Sequence, residues 1–267
     1  MFIFDEGVAV SEKQSDPLVY SGEIRPDWGV NEVPNGGYLM AVLANAMMHQ
    51  IQDKVSSAVV TANYIARGEP GKTDVVVEKI SSSKQFDRFQ ANLLQGGIEK
   101  IRALATFAKE GSNNSETRYE KKPPVLCPVD DCVRLPDFAD KYSIFKNLDV
   151  RLDPVCAGWL EGRLTDKSEH KGWIRFTDDR PYDLLSTLLL ADSFPPPVFV
   201  SQGMVAWVPT IEYSVNVRFV PETKWLKGVF RTHFITGGLL EEDGELWDEN
   251  DNLVAVSRQI AQFKKIA

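Results

Sequence analysis

Two stretches of this chain are strongly apolar, the first on nearly every face a helix would present, and each is followed by a run of strand-like segments. The first is Tyr38-Leu-Met-Ala-Val-Leu-Ala-Asn-Ala-Met-Met48 behind a glycine pair, Gly36-Gly37; the second covers about Tyr182 to Asp192. A helix with one apolar stripe can lie on a surface, but one apolar all round must be enclosed. The segments that follow have to wrap it. After the first helix they are Val59 to Arg67, Thr73 to Ile80, Phe86 to Leu94 and Ile101 to Lys109, with turn signals at Pro70-Gly71 and Gly96-Gly97. After the second they are Trp207 to Phe219, Leu226 to Thr236, Leu239 to Trp247 and Leu253 to Phe263. Gly237-Gly238 and Asn250-Asp251-Asn252 mark hairpin turns there. Asn147 to Arg151, Trp159 to Leu164 and Gly172 to Phe176 read as strands ahead of the second helix.

The repetition reaches individual residues. Thr61-Ala-Asn-Tyr64 is echoed 149 residues later by Thr210-Ile-Glu-Tyr213, and Ala105-Thr-Phe-Ala-Lys109 is echoed 156 residues later by Ala261-Gln-Phe-Lys-Lys265. Two echoes in the same order and at nearly the same offset point to a duplication. Between the copies lies Glu120-Lys-Lys-Pro-Pro-Val-Leu-Cys-Pro128. Its prolines lack donors for a sheet ladder and its charges favour solvent, so it reads as a linker. The expected organisation is an N-terminal domain over 1–118, a linker over 119–140 and a C-terminal domain over 141–267. The fold class is α+β: two antiparallel sheets, each wrapped around a long buried helix as in a hot-dog domain. Joining them edge to edge into one continuous sheet, a double hot-dog, would hide exposed edges.

Charge excludes some partners. With 30 basic against 38 acidic residues, the net charge is −8. A chain without a basic block is poorly matched to nucleic acid or an anionic membrane. The apolar run from Gly36 to Met48 is too short to span a bilayer. Met1-Phe-Ile-Phe-Asp5-Glu6 carries acids where a secretory signal carries positive charge. Cys127, Cys132 and Cys156 are an odd number without a dense pattern, and read as free thiols in a reducing compartment. The expected location is cytoplasmic.

Asp192 closes the second apolar helix, just before Ser193-Phe-Pro-Pro-Pro197. A carboxylate there faces the negative end of the helix dipole, and apolar surroundings penalise its charge. It is either a solvated helix end or a general base with its pKa lifted toward working pH. Thr210 opens a strand in which Ile211, Tyr213, Val215, Val217 and Phe219 share one face, and Thr210, Glu212, Ser214, Asn216 and Arg218 the other. Gln259 has Ala255, Ser257, Ala261 and Phe263 on its own face, which either leaves room for a ligand or lets a helix pack closely.

Taken together, these residues become more specific. Leu-Leu-Ala-Asp192-Ser, Pro-Thr210-Ile-Glu and Val-Ala-Val-Ser-Arg-Gln259 resemble the Asp, Thr and Gln strings of the type II acyl-CoA thioesterases, the double hot-dog enzymes. Pro34-Asn-Gly-Gly-Tyr38 and Leu246-Trp-Asp-Glu249 are similar to that family's too, and the resemblance is weakest from about Gly111 to Asp140. It implies that Asp192, Thr210 and Gln259 hold and activate a water, with the carboxylate as base, for direct attack on a coenzyme A thioester. It also implies substrate and oxyanion contacts at Gly36, Gly37 and Tyr38, where a helix N-terminus without Cβ atoms lets a carbonyl approach backbone N–H groups. The glycines otherwise only turn the chain tightly into the helix.

The first half keeps Thr61, but Gln259 maps roughly onto Ala103, and its helix has no acid; the second half has the acid but opens at Arg180-Pro-Tyr182 without glycines. One composite site per chain is expected, with an acyl-CoA substrate, no metal and no cofactor beyond the coenzyme A of the substrate. A homo-oligomer is expected by family analogy. Met40, Met47, Phe194, Phe199 and Trp207 either line an acyl tunnel or fill the core. Gly68 to Thr73 ends like a phosphate loop but reads as a hairpin turn, and no G-x-S-x-G or metal-ligand spacing is present. The competing readings are a hot-dog hydratase or dehydratase, which generally needs a histidine partner for the acid, and a non-catalytic acyl-CoA or lipid-binding module.

Overall fold

The structure, a computed structural model, describes residues 1–111, 116–136 and 141–265. The first half contains α1 (Ile3–Gly7), β1 (Val10–Lys13), β2 (Asp16–Ile24), β3 (Gly29–Val30), β4 (Val33–Pro34), α2 (Gly36–Met48), β5 (Val55–Tyr64), β6 (Gly71–Ser82), β7 (Phe86–Gln95) and β8 (Ile98–Lys109). The second half begins with β9 (Val133–Arg134), α3 (Ile144–Asn147), β10 (Leu148–Leu152), β11 (Ser168–Phe176), α4 (Leu184–Leu190) and α5 (Val198–Gln202). It ends with β12 (Ala206–Trp207), β13 (Thr210–Val217), β14 (Leu226–Thr232), β15 (Ile235–Thr236), β16 (Leu239–Asp248), β17 (Leu253–Gln262) and β18 (Lys264–Lys265).

One 14-stranded sheet runs β1-β2-β6-β7-β8-β5-β13-β17-β16-β14-β11-β10-β9, with β15 paired to β16. The halves meet where β5 pairs antiparallel with β13, Asn63 opposite Glu212 and Thr61 opposite Ser214. Outward from this joint the first half reads β5, β8, β7, β6, β2 and the second β13, β17, β16, β14, β11. The duplication is thus a two-fold-like repetition, and the sheet edges that each half would expose are paired to each other. The double hot-dog expected from the repeated pattern is the fold adopted.

The two wrapped helices differ. α2 is buried from Gly37 to Ala44 without a break, as its all-round apolarity demands. α4 is shorter than expected: Asp183 caps it reciprocally with Ser186, and the chain turns at Asp192 before three prolines. Trp159 to Leu164, expected as a strand, instead forms a 3-10 turn over Gly158–Glu161, halted by Gly162 at φ 76°. Gly68 to Thr73 is not a hairpin turn but part of a crossover, since β5 and β6 are separated in the sheet by β7 and β8.

The free-thiol reading also needs correction. Cys127 and Cys132 are joined by a disulfide with Cα atoms 6.3 Å apart, and Cys156 is free and buried. The 3-10 turn Val129–Asp131 folds the two cysteines together, which their spacing alone did not disclose. The case for a reducing compartment loses that support. The expected linker lies against the second half: Tyr119 meets Trp247 edge-on at 5.3 Å, Lys121 pairs with Glu245, and Trp173 Nε1 donates to the Cys127 carbonyl at 2.9 Å. Its last residues, 137–140, lie outside the described ones, as do 112–115 and 266–267 near the ends of the two expected domains. Among the described residues, no helix is long and apolar enough to cross a membrane.

Candidate active site

The end of α4 runs into the start of α2. Asp192 Oδ2 accepts the Gly37 N–H at 2.8 Å and the Asn35 amide at 3.0 Å, and the same amide donates to the Asp192 carbonyl at 2.7 Å. Asn35 Oδ1 meanwhile caps α2 by accepting the Tyr38 N–H at 2.9 Å. The carboxylate that sequence places at the unfavourable end of its own helix therefore sits at the favourable end of another. Burial pushes its pKa up to about 7, against the opposing pull of the Gly37, Asn35 and Gly36 donors. Asp192 keeps a partial solvent contact, but the packed helix ends withdraw its carboxylate from bulk water.

This junction explains the glycine pair. A Cβ on Gly37 would lie 2.6 Å from the Leu188 carbonyl oxygen and 2.8 Å from Asp192 Cβ; one on Gly36 would lie 3.0 Å from both Asp192 Oδ2 and the Tyr64 hydroxyl. The missing side chains admit α4 itself. The expected substrate contacts are accordingly engaged: Gly37 N–H on Asp192, Tyr38 N–H on Asn35. The Tyr38 side chain points into the core, where its hydroxyl donates to the Gly7 carbonyl at 2.7 Å and accepts the Arg25 N–H at 3.0 Å. Tyr64, which the sequence reading passed over, donates to the Gly36 carbonyl at 2.7 Å.

Thr210 Oγ1 donates to Gln259 Oε1 at 2.7 Å. Strict alternation would set these residues on opposite faces of the sheet. A bulge between Thr210 and Glu212 prevents this: Tyr213 lies opposite Gln259, yet Thr210 lies opposite Ala261, two residues on and on the same face. Ile211, expected on the same face as Tyr213, is the extra residue and is exposed.

Gln259 belongs to a row that crosses the joint. Directly opposed residues run Ala91, Ala103, Ala62, Tyr213, Gln259, Glu242 through β7, β8, β5, β13, β17 and β16, all buried on the helix side. The first half of the row is alanine and the second is polar. Gln259 and Ala103 flank the joint at matching positions, as the repeat implied. Glu242, which the sequence reading missed, matches Ala91. Burial, then the Asp192 charge, push the Glu242 pKa well above the carboxylate range, and the Gln259 amide opposes that shift. Tyr213 is likewise held far above the ordinary phenol value by burial and by Asp192.

Of the other candidates, Met40 and Met47 are core residues of α2, and Phe194 is stacked on Phe230 at 4.9 Å. Phe199 packs on Trp159 at 5.6 Å, and Trp207 pairs with Lys264 in a separate two-stranded sheet. His49 packs on Tyr20, His170 on Trp159 and His233 on Phe234, away from Asp192. Among the described residues, no three His, Cys, Asp or Glu side chains group as a metal site. A cleft of about 690 Å³ lined by Arg25, Arg67 and Lys141 opens at Pro34, one residue before Asn35.

Comparison with known proteins gives a consistent picture. Residues 24–108 match the family described as acyl-CoA thioesterase N-terminal domain, and residues 129–263 the acyl-CoA thioesterase C-terminal domain. A hot-dog-fold protein of unknown function from Alicyclobacillus acidocaldarius superposes with TM-score 0.89 at 22% identity over 100% of both chains. The acyl-CoA thioesterase II TesB2 of Mycobacterium marinum superposes with TM-score 0.77 at 17% identity over 99% of both. An uncharacterised Mycobacterium tuberculosis protein is 22% identical over 97% of each chain.

Proposed function

The chain belongs to the acyl-CoA thioesterase family, and on that premise we propose that it hydrolyses an acyl-CoA thioester to the free acid and coenzyme A. The observation that carries the reading is Asp192: a carboxylate with a pKa near 7, wedged between two helix ends and coupled by its charge to Tyr213 and Glu242, the residues that flank Gln259 in the sheet. Such a group is about half ionised at pH 7, and its ionised form is basic enough to take a proton.

In the proposed reaction, a water held between Asp192 and the Thr210–Gln259 pair gives a proton to Asp192 as its oxygen attacks the thioester carbon. The carbonyl oxygen becomes an oxyanion near the N-terminus of α2. As Asp192 is protonated its negative charge disappears, so the Gly36 and Gly37 amides that held it can turn their field on the oxyanion. The C–S bond then breaks, the thiolate recovers the proton from Asp192, and acid and thiol leave. Donors shared between base and oxyanion distinguish this arrangement from a separate, vacant oxyanion hole.

The hydratase and binding-module readings gain no specific observation; the histidines of the described residues pack elsewhere. A homo-oligomer is part of the proposal, supported by exposed Val59 and Leu104 on the outer face of the central strands. Light scattering on the purified protein reads it. For the activity, free thiol release from acyl-CoA esters of several chain lengths is compared for wild type and Asp192→Asn. Turnover lost in the variant is expected; ester binding without turnover in the wild type would leave the binding module instead.

A further inference from the structure

Glu242 is an unusual residue to enclose. It is buried, 7% exposed, and among the described residues no lysine or arginine pairs with it. Its neighbours in the acidic run Glu241-Glu242-Asp243 are provided for: Glu241 accepts the His233 and Phe234 amides, and Asp243 pairs with Arg258. The fold does not require an acid at this point in the sheet, since the matching position of the other half is Ala91. A buried acid without a cation costs stability, so its benefit must lie in what it faces.

It faces Gln259, directly across the β16–β17 ladder. The amide of Gln259 has two ends. Its Oε1 accepts the Thr210 hydroxyl, so its NH₂ is the end turned toward Glu242. We propose that Glu242 is a positioning residue for the hydrolytic site: its carboxyl oxygen accepts the Gln259 NH₂ and fixes the direction of the amide. The consequence passes along the chain of hydrogen bonds. With Gln259 held this way, the Thr210 proton is committed to Oε1. Thr210 can then only accept from a water, and Asp192 accepts that water's other proton. Both water hydrogens are held and an oxygen lone pair is left for attack. If the amide flips, Gln259 donates to Thr210 and the hydroxyl donates to the water instead of accepting from it. One of the oxygen's lone pairs is then occupied, and the water hydrogen that Thr210 held is released, so the direction of the remaining lone pair is no longer fixed. An acceptor is needed at position 242, not a charge. This inference rests on the thioesterase reading.

The test is a double-mutant cycle of Glu242→Leu and Gln259→Ala on acyl-CoA turnover, with wild type, Asp192→Asn and Glu242→Gln in the same panel. Glu242→Leu should lower kcat about tenfold or more with KM within about twofold. It should cost almost nothing further in Gln259→Ala, while Glu242→Gln, whose own carbonyl can accept, should stay within about threefold of wild type. A Glu242→Leu loss that is absent from wild type, or equally large without Gln259, overturns the positioning role. So does an equal loss in Glu242→Gln. Absence of turnover in the wild type overturns the thioesterase reading, and this inference with it.

Discussion

Asp192 and Gly37 are 155 residues apart in the chain and joined by a 2.8 Å hydrogen bond, the carboxylate of one helix end held by the first amides of another. Such a bond stabilises the ionised form, and burial opposes it. Burial wins, leaving the pKa at about 7. If Asp192 is the base, kcat/KM should rise with pH through about 7 and then level off, because only the ionised carboxylate takes a proton. Asp192→Asn should reduce kcat by at least about a hundredfold, the usual span of a lost general base. A pH–rate profile flat from 5 to 8 would remove Asp192 from that role.

The same shift has a stability sign. A carboxyl whose folded pKa lies above its unfolded value of 3.8 binds the proton more tightly when folded, so stability falls as pH rises from about 4 to 7. Asp192→Asn should lack this contribution and be more stable than wild type at pH 8, with the difference narrowing toward pH 4. Urea midpoints at the two pH values measure it. Equal differences at both would mean that the carboxylate is solvated and its pKa ordinary.

The glycine pair should respond unequally to substitution. Gly37→Ala sets a methyl against the Leu188 carbonyl and Asp192 Cβ, neither of which can swing aside. Overpacking of this kind costs about 1–3 kcal/mol, and parting the helix ends should also abolish turnover. Gly36→Ala meets only side-chain ends, Asp192 Oδ2 and the Tyr64 hydroxyl, and should fold nearly as well while losing activity. Melting curves alongside thiol release would separate the two; equal destabilisation would count against the close approach at Gly37.

Thr210→Val keeps the branched shape but strips Gln259 Oε1 of its donor, whereas Thr210→Ser keeps the hydroxyl. Turnover should fall about tenfold or more in Thr210→Val and much less in Thr210→Ser, with KM little changed in either. Similar kcat values for the two would mean that the Thr210–Gln259 bond has no part in the reaction.

How much of this was legible beforehand depends on the range over which each residue is determined. The enclosed helices and the repeat follow from local apolarity, and the fold follows from them. Asp192 stood out because a carboxylate at a helix C-terminus needs an explanation, but that explanation, Gly37, lies 155 residues away. Thr210 was placed on the wrong face because alternation cannot register a bulge, which is set by pairing with β17. Glu242 was hidden in a run of three acids within the expected strand Leu239 to Trp247, although Leu240, Glu242, Gly244 and Leu246 share one face of it. An acid at period two among buried leucines was the available signal. The disulfide was missed because only the intervening turn brings Cys127 and Cys132 together.

His170 carries the last prediction. It is fully buried, packs edge-on against Trp159 at 5.6 Å, and neither ring nitrogen has a partner. Burial lowers its pKa to about 3. The folded chain therefore holds it neutral, while the unfolded chain protonates it as pH falls below about 6.5. Stability attributable to His170 is complete above that value and drains away on acidification, by about 1.4 kcal/mol for each unit between 6.5 and 3. Asp192 works in the opposite direction over much of that range, so the wild-type pH curve alone would mix the two. Comparing wild type with His170→Leu cancels the carboxylates, which both proteins retain. The variant should gain about 1.4 kcal/mol more over wild type at pH 5.5 than at pH 8. It should already be no less stable at pH 8, because leucine removes two unpaired polar atoms from the core. A gain independent of pH would mean that the ring is hydrated or bonded in solution and is not held neutral by burial.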